Sequence, residues 1–412
     1  MSLPRVLVFL SVVVGVDALM HYYLWVRLVR DPAFSVAWTR GLTVATVVLG
    51  LMPVVGMLSM RVASRTVASP LAWVAMTWLG LLFFAVVLLG VADAGRGLLW
   101  VARRGAAAAS SGSAALGGPV DPQRRDLLAR MFAGAVATSV LGVGGWSLFE
   151  GLRAVAIRRV VVPLTKLPRS LSGYSIVQLT DIHVGPTIGR AFIEQLVRKT
   201  NAASPDLIVI TGDLVDGSVE ELGPLVEPLR GLRAPDGVFF VTGNHEYYSG
   251  ADAWIAFVES LGIRVLRNER LALRDGGAGG LDLAGVDDWG AKELLLHHGP
   301  DLPKALAGRD EARAVVLLAH QPKAVVEAAE KGVDLVLSGH THGGQMFPFN
   351  YLVSLQQPFV EGLHRVDGTQ IYVSRGTGYW GPPMRLGAPA EITHLVLESL
   401  EPEPGEGAEE AA

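Results

Sequence analysis

The chain of 412 residues contains no cysteine, and charged residues make up only 18% of it. Without cysteine the protein cannot form disulfide bonds, thiolate metal sites or cysteine nucleophiles. The low charge accompanies 50% hydrophobic residues and a mean hydropathy of +0.38, which excludes an intrinsically disordered protein and is too apolar for an ordinary soluble enzyme. Together these features indicate a protein that is partly embedded in a membrane.

Lysine is absent from the first 150 residues, and this absence divides the chain into two unlike parts. Residues 1–150 contain 12 arginines and 6 acidic residues, a net charge of +6, whereas residues 151–412 contain 23 basic and 33 acidic residues, a net charge of −10. A domain that binds nucleic acid needs a basic face, so the acidic second part argues against a nucleic-acid partner. Nothing in the sequence indicates an obligate protein partner.

The first part contains stretches long and apolar enough to cross a lipid bilayer. Three of them carry no charge: 41–60, 66–92 and 131–149. A fourth, between Arg5 and Arg27, is interrupted by Asp17 and His21. Because a helix needs about 20 apolar residues to cross the hydrocarbon core, we predict a bundle of about four transmembrane helices.

Asp17 and His21 leave two interpretations open. Ionisable groups inside a membrane are candidates for a transport function. The two residues are four apart, however, so on a helix they share a face and can pair with each other. We favour the pairing interpretation.

Arginine counts predict the orientation of the helices. Nine arginines lie in the segments between the first and second spans and between the third and fourth spans, against three on the opposite side. Short loops rich in arginine stay in the cytoplasm, so everything after Glu150 should be extracytoplasmic. A basic cluster at 153–169 is the opposing signal. We predict a multi-pass protein of the inner membrane with an extracytoplasmic domain.

An arginine pair before the fourth span supports export. Arg124-Arg125 is followed by Leu127-Leu128 and a mildly apolar helix, a combination that resembles a twin-arginine export signal. Ala154-Val155-Ala156 offers small residues for cleavage after that span, and the sequence leaves open whether cleavage occurs.

We therefore predict five segments along the chain. They are three transmembrane helices at 1–102, a flexible cytoplasmic linker with the twin-arginine-like motif at 103–130, a fourth transmembrane or export-signal-like helix at 131–150, a folded domain at 160–400 and a disordered acidic tail at 401–412.

The folded domain alternates strand-like and helix-like patterns, which predicts an α/β layered architecture. The predicted strands are 175–179, 207–210, 238–241, 281–286, 314–319, 335–337, 371–373 and 392–397. The predicted helices include 188–202, 252–261 and 323–330.

Polar clusters directly follow five of these strands. They are Asp181-Ile182-His183, Gly212-Asp213-Leu214-Val215-Asp216, Gly243-Asn244-His245-Glu246, His320 and Gly339-His340-Thr341-His342. Because the carboxyl ends of strands in an open α/β sheet meet at one crevice, we expect the clusters to converge. Alternation along an extended chain would aim Asp181 with His183, and His340 with His342, in one direction. The three glycines would let the backbone approach the cluster closely.

The chemistry of these clusters points to metal ions. Carboxylates, an amide and at least four imidazoles, without thiolates, suit Mn, Fe, Zn or Co better than Ca. The donors are too numerous for one tetrahedral ion and fit two divalent ions that share a bridging carboxylate, an arrangement suited to phosphoryl chemistry. Each motif alone is weak evidence, but five in order behind strands are not explained by capped turns.

The ordered set D-x-H, G-D-x-x-D, G-N-H-E, a lone His and G-H-x-H resembles the calcineurin-like metallophosphoesterase superfamily over about 170–398. The spans, the Gly343-Gly344-Gln345 extension and the Ser374–Gly378 stretch resemble its membrane-associated bacterial branch. The resemblance implies a four-layer αββα sandwich. It also implies the ligands of two ions: Asp181, His183 and His342 for one, Asn244, His320 and His340 for the other, and Asp213 bridging both.

The resemblance assigns catalytic roles as well. His245, oriented by Asp216, would stabilise the transition state and protonate the leaving oxygen, while a metal-bridging hydroxide attacks phosphorus in line. Arg375 and Arg385 are candidates for substrate contact, with surface salt bridges as the open alternative. Asp216 stands where purple acid phosphatases have a tyrosine ligand, and Gly217 where protein serine/threonine phosphatases have an arginine, so neither branch fits.

These patterns together predict a membrane-anchored phosphoesterase acting on phosphodiester or phosphomonoester bonds. Aromatic residues at 346–351 and 379–380 could form a lipid-facing wall beside the metals, with ordinary loop packing as the alternative. A lipid-facing wall would favour lipid-linked or nucleotide-linked envelope substrates, such as UDP-diacylglucosamine-type pyrophosphates. The alternative function is a non-catalytic membrane sensor or scaffold that binds metal or lipid headgroups.

Overall fold

A computed structural model describes residues 3–109, 121–275, 279–295 and 297–400. The chain forms two compact units, Met1–Phe149 with Gly381–Met384 and Glu150–Trp380 with Arg385–Ala412. Residues 110–120 of the predicted linker and the predicted acidic tail at 401–412 lie outside the described residues.

The first unit contains four helices that are long and apolar enough to cross a membrane. They are α1 (Leu3–Trp25), α2 (Val36–Val62), α3 (Arg65–Ala109) and α4 (Pro122–Leu152). The prediction of four long apolar helices is confirmed. Helices α3 and α4 both extend into the 103–130 segment.

His21 is engaged with neighbouring groups inside this unit, whereas Oδ1 of Asp17 lies 3.5 Å from Nδ1 of His21 and has no hydrogen-bond partner among the described residues. The Nδ1 of His21 donates to the backbone carbonyl of Asp17 over 2.9 Å, and the indole of Trp78 donates to His21 Nε2 over 2.9 Å. The His21 ring is buried, and each of its two nitrogens has a hydrogen-bond partner. These contacts favour the pairing interpretation over an ion path.

Within the described residues, the second unit contains twelve strands and eight helices. The strands are β1 (Ala156–Leu164), β2 (Ser175–Leu179), β3 (Leu207–Thr211), β4 (Val238–Val241), β5 (Arg264–Val265), β6 (Glu269–Leu273), β7 (Leu281–Gly285), β8 (Ala314–Leu318), β9 (Leu335–Ser338), β10 (Gly362–Val366), β11 (Thr369–Val373) and β12 (Glu391–Ser399). The helices are α5 (Arg190–Ala202), α6 (Val219–Val226), α7 (Asn244–Ser249), α8 (Ala251–Ser260), α9 (Ala291–Leu294), α10 (Leu302–Ala305), α11 (Val325–Glu330) and α12 (Asn350–Val353).

The strands form two mixed six-stranded sheets. Their orders are β1-β12-β2-β3-β4-β5 and β10-β11-β9-β8-β7-β6. In the first sheet β2, β3, β4 and β5 are parallel, and in the second sheet β7, β8, β9 and β11 are parallel. All eight predicted strands are present, and the four that were not predicted, β1, β5, β6 and β10, are the four edge strands.

Side chains alternate along the strands between the core that the two sheets share and the cores beneath the helices. Along β3, Val209 points into the core between the sheets, whereas Ile208 and Ile210 pack against α5, α6 and α8. Along β8, Val316 points into the core between the sheets, whereas Leu317 packs against α10 and α11. Both faces of each sheet are thus covered by apolar contacts, which explains why the central strands are rich in apolar residues. The predicted four-layer αββα sandwich is confirmed.

The five polar clusters follow strands of both sheets. Three of them follow β2, β3 and β4 in the first sheet, and two follow β8 and β9 in the second. The expectation that the edge of a single open sheet would gather them is therefore wrong. Two facing sheets are needed, because each supplies only part of the donor set.

Candidate metal centre

The polar clusters converge on one buried site. Nε2 of His342 lies 3.0 Å from Nε2 of His183 and 3.5 Å from Oδ1 of Asp181. Nε2 of His320 lies 3.1 Å from Oδ2 of Asp213 and 3.2 Å from Nδ1 of His340. The two sets approach each other where Nε2 of His183 lies 3.9 Å from Oδ2 of Asp213. The donors form two groups, Asp181 with His183 and His342, and Asp213 with His320 and His340, each spanning no more than 4.8 Å.

Hydrogen bonds on the far side of two rings leave their other nitrogens free for a cation. His320 Nδ1 donates to the backbone carbonyl of Thr211 over 2.8 Å, and His183 Nδ1 donates to Asp216 Oδ1 over 3.1 Å. A neutral imidazole that donates from Nδ1 keeps its lone pair on Nε2. In its neutral form each ring would therefore present Nε2 to the site as a ligand. Burial lowers the pKa of His320, but the carboxylate of Asp213 holds it well above its usual value, so a cation there would displace the proton of that ring.

Asn244 supplies an independent test of the fit to metal ions. Its Oδ1 is buried and accepts no hydrogen bond within the described part of the chain. An unsatisfied buried carbonyl oxygen costs free energy unless another partner meets it. Together with imidazoles and carboxylates, this oxygen completes a donor set that fits divalent ions such as Mn, Fe, Zn or Co.

Burial shifts the pKa values of donors at the site. Burial raises the pKa of Asp181 despite the neighbouring histidines, because its charge is removed from water. Burial, with the charge of His320, lowers the pKa of His340 to about 3, so that ring is neutral at physiological pH. A cation among these groups would stabilise the carboxylate and accept the lone pair of the neutral ring.

The backbone that carries the donors is left-handed. Eleven described residues other than glycine have positive φ, and five of them are Asp181, His183, Asp213, His340 and His342, with φ between 51° and 71°. Such conformations cost about 1–3 kcal/mol each and persist where the surroundings enforce them. The members of each D-x-H and H-x-H pair do meet at the site, but the expected reason, alternation along an extended chain, is wrong.

Two glycines permit the close approach that the sequence predicted. A Cβ at Gly339 would overlap with the carboxylate of Asp181 and the hydroxyl of Thr180. A Cβ at Gly243 would overlap with the carboxylate of Asp213. Gly212 has a φ of +88°, which a residue with a side chain rarely adopts.

Asp216 joins a metal-site histidine to His245. Its Oδ1 accepts from Nδ1 of His183 over 3.1 Å and from Nδ1 of His245 over 2.5 Å. Burial alone would raise the pKa of Asp216, but the charges and hydrogen bonds of the two histidines hold it well below its usual range. One carboxylate oxygen thus fixes the orientation of both rings.

The sequence placed Glu246 in a polar cluster but assigned no role to it or to Tyr248. The carboxylate of Glu246 accepts from the backbone N–H groups of Gly243, Asp213 and Leu214 over 2.7–2.9 Å, which ties the ends of β3 and β4 together. The rings of Tyr248 and Trp380 lie 5.3 and 5.7 Å from the ring of His245. The acidic residue directly after G-N-H and the Tyr247-Tyr248 pair were the available signals.

The two candidate arginines are occupied by protein groups. Arg375 Nη2 lies 2.6 Å from Oε2 of Glu391 in an ion pair. Arg385 is fully buried, donates to the backbone carbonyls of Ala388 and Gly378, and lies 3.2 Å from the Nδ1 of His342. These contacts favour a structural role for Arg385, as a support for His342, over contact with a substrate phosphate.

Comparisons with known proteins show the family to which the chain is similar. Residues 174–344 match the model of the calcineurin-like phosphoesterase family. A cattle "transmembrane protein with metallophosphoesterase domain" is 42% identical over 342 residues, covering 79% of this chain and 73% of that protein. An uncharacterized metallophosphoesterase of Helicobacter pylori is 42% identical over 261 residues, covering 63% and 68%. A solved putative 5'-nucleotidase of Staphylococcus aureus is 14% identical, covers 55% of each chain and has a TM-score of 0.34.

Substitution of Gly339 tests the close packing around Asp181. We expect Gly339→Ala to weaken divalent-metal affinity by about 10–100-fold, because the new methyl group displaces the Asp181 carboxylate. Chelator competition on the purified full-length protein measures the affinity, and circular dichroism monitors folding. Gly368→Ala is the matched control, since a Cβ there meets nothing within 4 Å. Equal affinities in the two variants would contradict the predicted role of Gly339.

Proposed function

The chain belongs to the calcineurin-like metallophosphoesterase family, and we propose that it is a membrane-anchored phosphoesterase that uses two divalent metal ions. One ion would be held by Asp181, His183 and His342, the other by Asn244, His320 and His340, and Asp213 would contribute to both. The observation that carries this assignment is the convergence of the six carboxylate and imidazole donors, which approach one another at 3.0–3.9 Å. When bound, the ions supply Lewis acidity that activates water and stabilises charge on the phosphoryl oxygens.

His245 is the proposed proton donor to the leaving oxygen. Burial lowers the pKa of His245, but the carboxylates of Asp213 and Asp216 raise it to about 9, above the ordinary value of 6.5. The ring is therefore protonated below about pH 9. Its Nδ1 is held by Asp216, which leaves the Nε2 proton for the substrate. Asp216 acts as a positioning residue.

Two substitutions test this assignment on a simple diester. We expect Asp213→Asn to abolish hydrolysis of bis-p-nitrophenyl phosphate with Mn²⁺, because it removes the carboxylate shared by both donor groups. His245→Ala should lower kcat by about 10²–10⁴-fold, the usual contribution of a general acid. Release of p-nitrophenolate measures both rates.

His364→Ala is the matched control, since His364 lies on the edge strand β10 and contacts the backbone carbonyl of Glu361. Its turnover should equal that of the unsubstituted protein. Full turnover by the Asp213 or His245 variant would defeat the assignment. A metal-loaded protein that is inert on every phosphoester would instead favour the non-catalytic sensor or scaffold.

An exposed apolar segment supports lipid-linked substrates. Four side chains in this segment are 51–80% exposed: Phe347, Tyr351, Leu352 and Leu355. The ring centroids of Phe347 and Tyr351 are 5.9 Å apart. The same loop reaches the site, because the Gln345 side chain exchanges two hydrogen bonds of 2.9 Å with the Trp380 backbone. A wall of this kind suits acyl chains beside a phosphodiester or pyrophosphate, as in UDP-diacylglucosamine-type substrates.

Polar substitutions in this segment separate lipid recognition from chemistry. We expect Leu352→Ser/Leu355→Ser to lower kcat/KM on a UDP-diacylglucosamine-type pyrophosphate in mixed micelles by about tenfold or more. A bound acyl chain would cover these leucines, and the burial of one leucine side chain contributes about 1.5–3 kcal/mol. Turnover of bis-p-nitrophenyl phosphate should not change. Val326→Ser, at an exposed position of α11, is the control. Similar losses on both substrates would argue against a lipid-binding segment.

The arginine asymmetry supports a multi-pass arrangement in the inner membrane with the catalytic domain outside the cytoplasm. Nine arginines lie in the two segments that would be cytoplasmic. The twin-arginine-like pair Arg124-Arg125, at the start of α4, would serve export of the folded domain.

The cysteine-free chain makes this topology directly measurable. We expect a membrane-impermeant maleimide to label Ala312→Cys in intact cells, because Ala312 is exposed on the second unit. Gln123→Cys should be labelled only after the cells are broken, because that segment would be cytoplasmic. Labelling with the opposite accessibility would reverse the proposed orientation.

A further inference from the structure

A second group of metal-ligating side chains lies outside the seven-residue centre. Asp252 is in the first turn of α8, and His297 and His298 follow α9. One ligand atom from each of the three residues lies within 4.8 Å of the others. His297 and His298 line an open groove of about 730 Å³, which would give an ion access from solvent.

His298 is held as a ligand would be held. Its side chain is buried, and its Nδ1 lies 3.2 Å from the hydroxyl of Tyr247. Its Nε2 is also buried and has no hydrogen-bond partner among the described residues, although it lies 3.1 Å from Oδ1 of Asp252. A buried ring nitrogen without a partner is costly, and a cation between it and the carboxylate would satisfy both.

The three donors match the ligand chemistry of zinc. Two imidazoles and one carboxylate form a known type of three-ligand zinc site in which water completes the tetrahedron. With bonds of about 2.0–2.1 Å, neighbouring ligand atoms of a tetrahedral ion lie roughly 3.4 Å apart. The observed separations are 3.1 Å between Oδ1 of Asp252 and Nε2 of His298 and 3.9 Å between Oδ2 of Asp252 and Nε2 of His297, on either side of that value and from different carboxylate oxygens.

We propose that Asp252, His297 and His298 bind a divalent cation of the zinc type at a site separate from the seven-residue centre. The cation would fasten the loop after α9 to the first turn of α8. It would also brace Tyr247, whose hydroxyl lies 3.1 Å from that of Thr242, just before Gly243 and Asn244. This cation is structural, and the site does not depend on the proposed phosphoesterase activity.

The metal content of the full-length protein tests the site. The purified protein is stripped with chelator, reloaded with Zn²⁺, dialysed and analysed for zinc per chain. We expect Asp252→Asn to carry one zinc fewer than the unsubstituted protein, and His298→Ala to show the same loss. Asp252 is exposed, so its substitution should not unfold the domain. Hydrolysis of bis-p-nitrophenyl phosphate should be retained.

Glu259→Gln is the matched control, since Glu259 is an exposed acid on the same helix. It should keep the full zinc content. Equal zinc in Asp252→Asn and the unsubstituted protein, or the same loss in Glu259→Gln, would overturn the proposal. Asp213→Asn separates the two sites, because it should lose zinc only from the seven-residue centre. Adding Asp252→Asn to that variant should remove one more zinc per chain, whether or not the seven-residue centre proves catalytic.

Discussion

Carboxylates and imidazoles that point at one another in a dry interior are stabilised by positive charge between them. At the candidate centre, pairs of ring nitrogens approach within 3.0 and 3.2 Å, and the carboxylates of Asp181 and Asp213 are buried beside them. Contacts with the surrounding structure hold these side chains in place. The backbone N–H of His340, from the second sheet, donates to Asp181 of the first sheet over 2.8 Å, so the two sheets are joined at the site itself. The left-handed conformations of the ligand residues are tolerable because neighbouring groups hold them in place.

The same hydrogen bonds link ion binding to proton transfer. Asp216 accepts from both His183, a ligand candidate, and His245, the proposed proton donor. A shift of the His183 ring would therefore disturb His245 without any change to that residue. Glu246 extends the network, since it binds the backbone at Gly243 and Asp213, on either side of the crevice between β3 and β4. The centre thus behaves as one hydrogen-bonded unit, and its parts are not interchangeable.

How much the sequence could predict depended on burial. The eight central strands are rich in apolar residues because both faces of each sheet are covered, and the sequence predicts all eight. The four edge strands were not predicted, since adjacent charged residues interrupt their apolar pattern, as at Arg158-Arg159 of β1 and Glu269-Arg270 of β6. Arg385 was misjudged for a related reason. A lone arginine near a glycine-rich loop resembles a surface residue until folding surrounds it with backbone carbonyls.

The amino-acid sequence by itself determined the number of long apolar helices, the layered α/β class and the candidate donor residues, because hydrophobic run length, strand spacing and side-chain chemistry are local properties of the chain. Tertiary structure alone decided that the donors come from two facing sheets and that left-handed turns aim them. It also decided that Asp216 is shared by two histidines and that Asp252 meets His297 and His298. These outcomes depend on distances between segments far apart along the chain, which are fixed only when the cores on both faces of the sheets are packed.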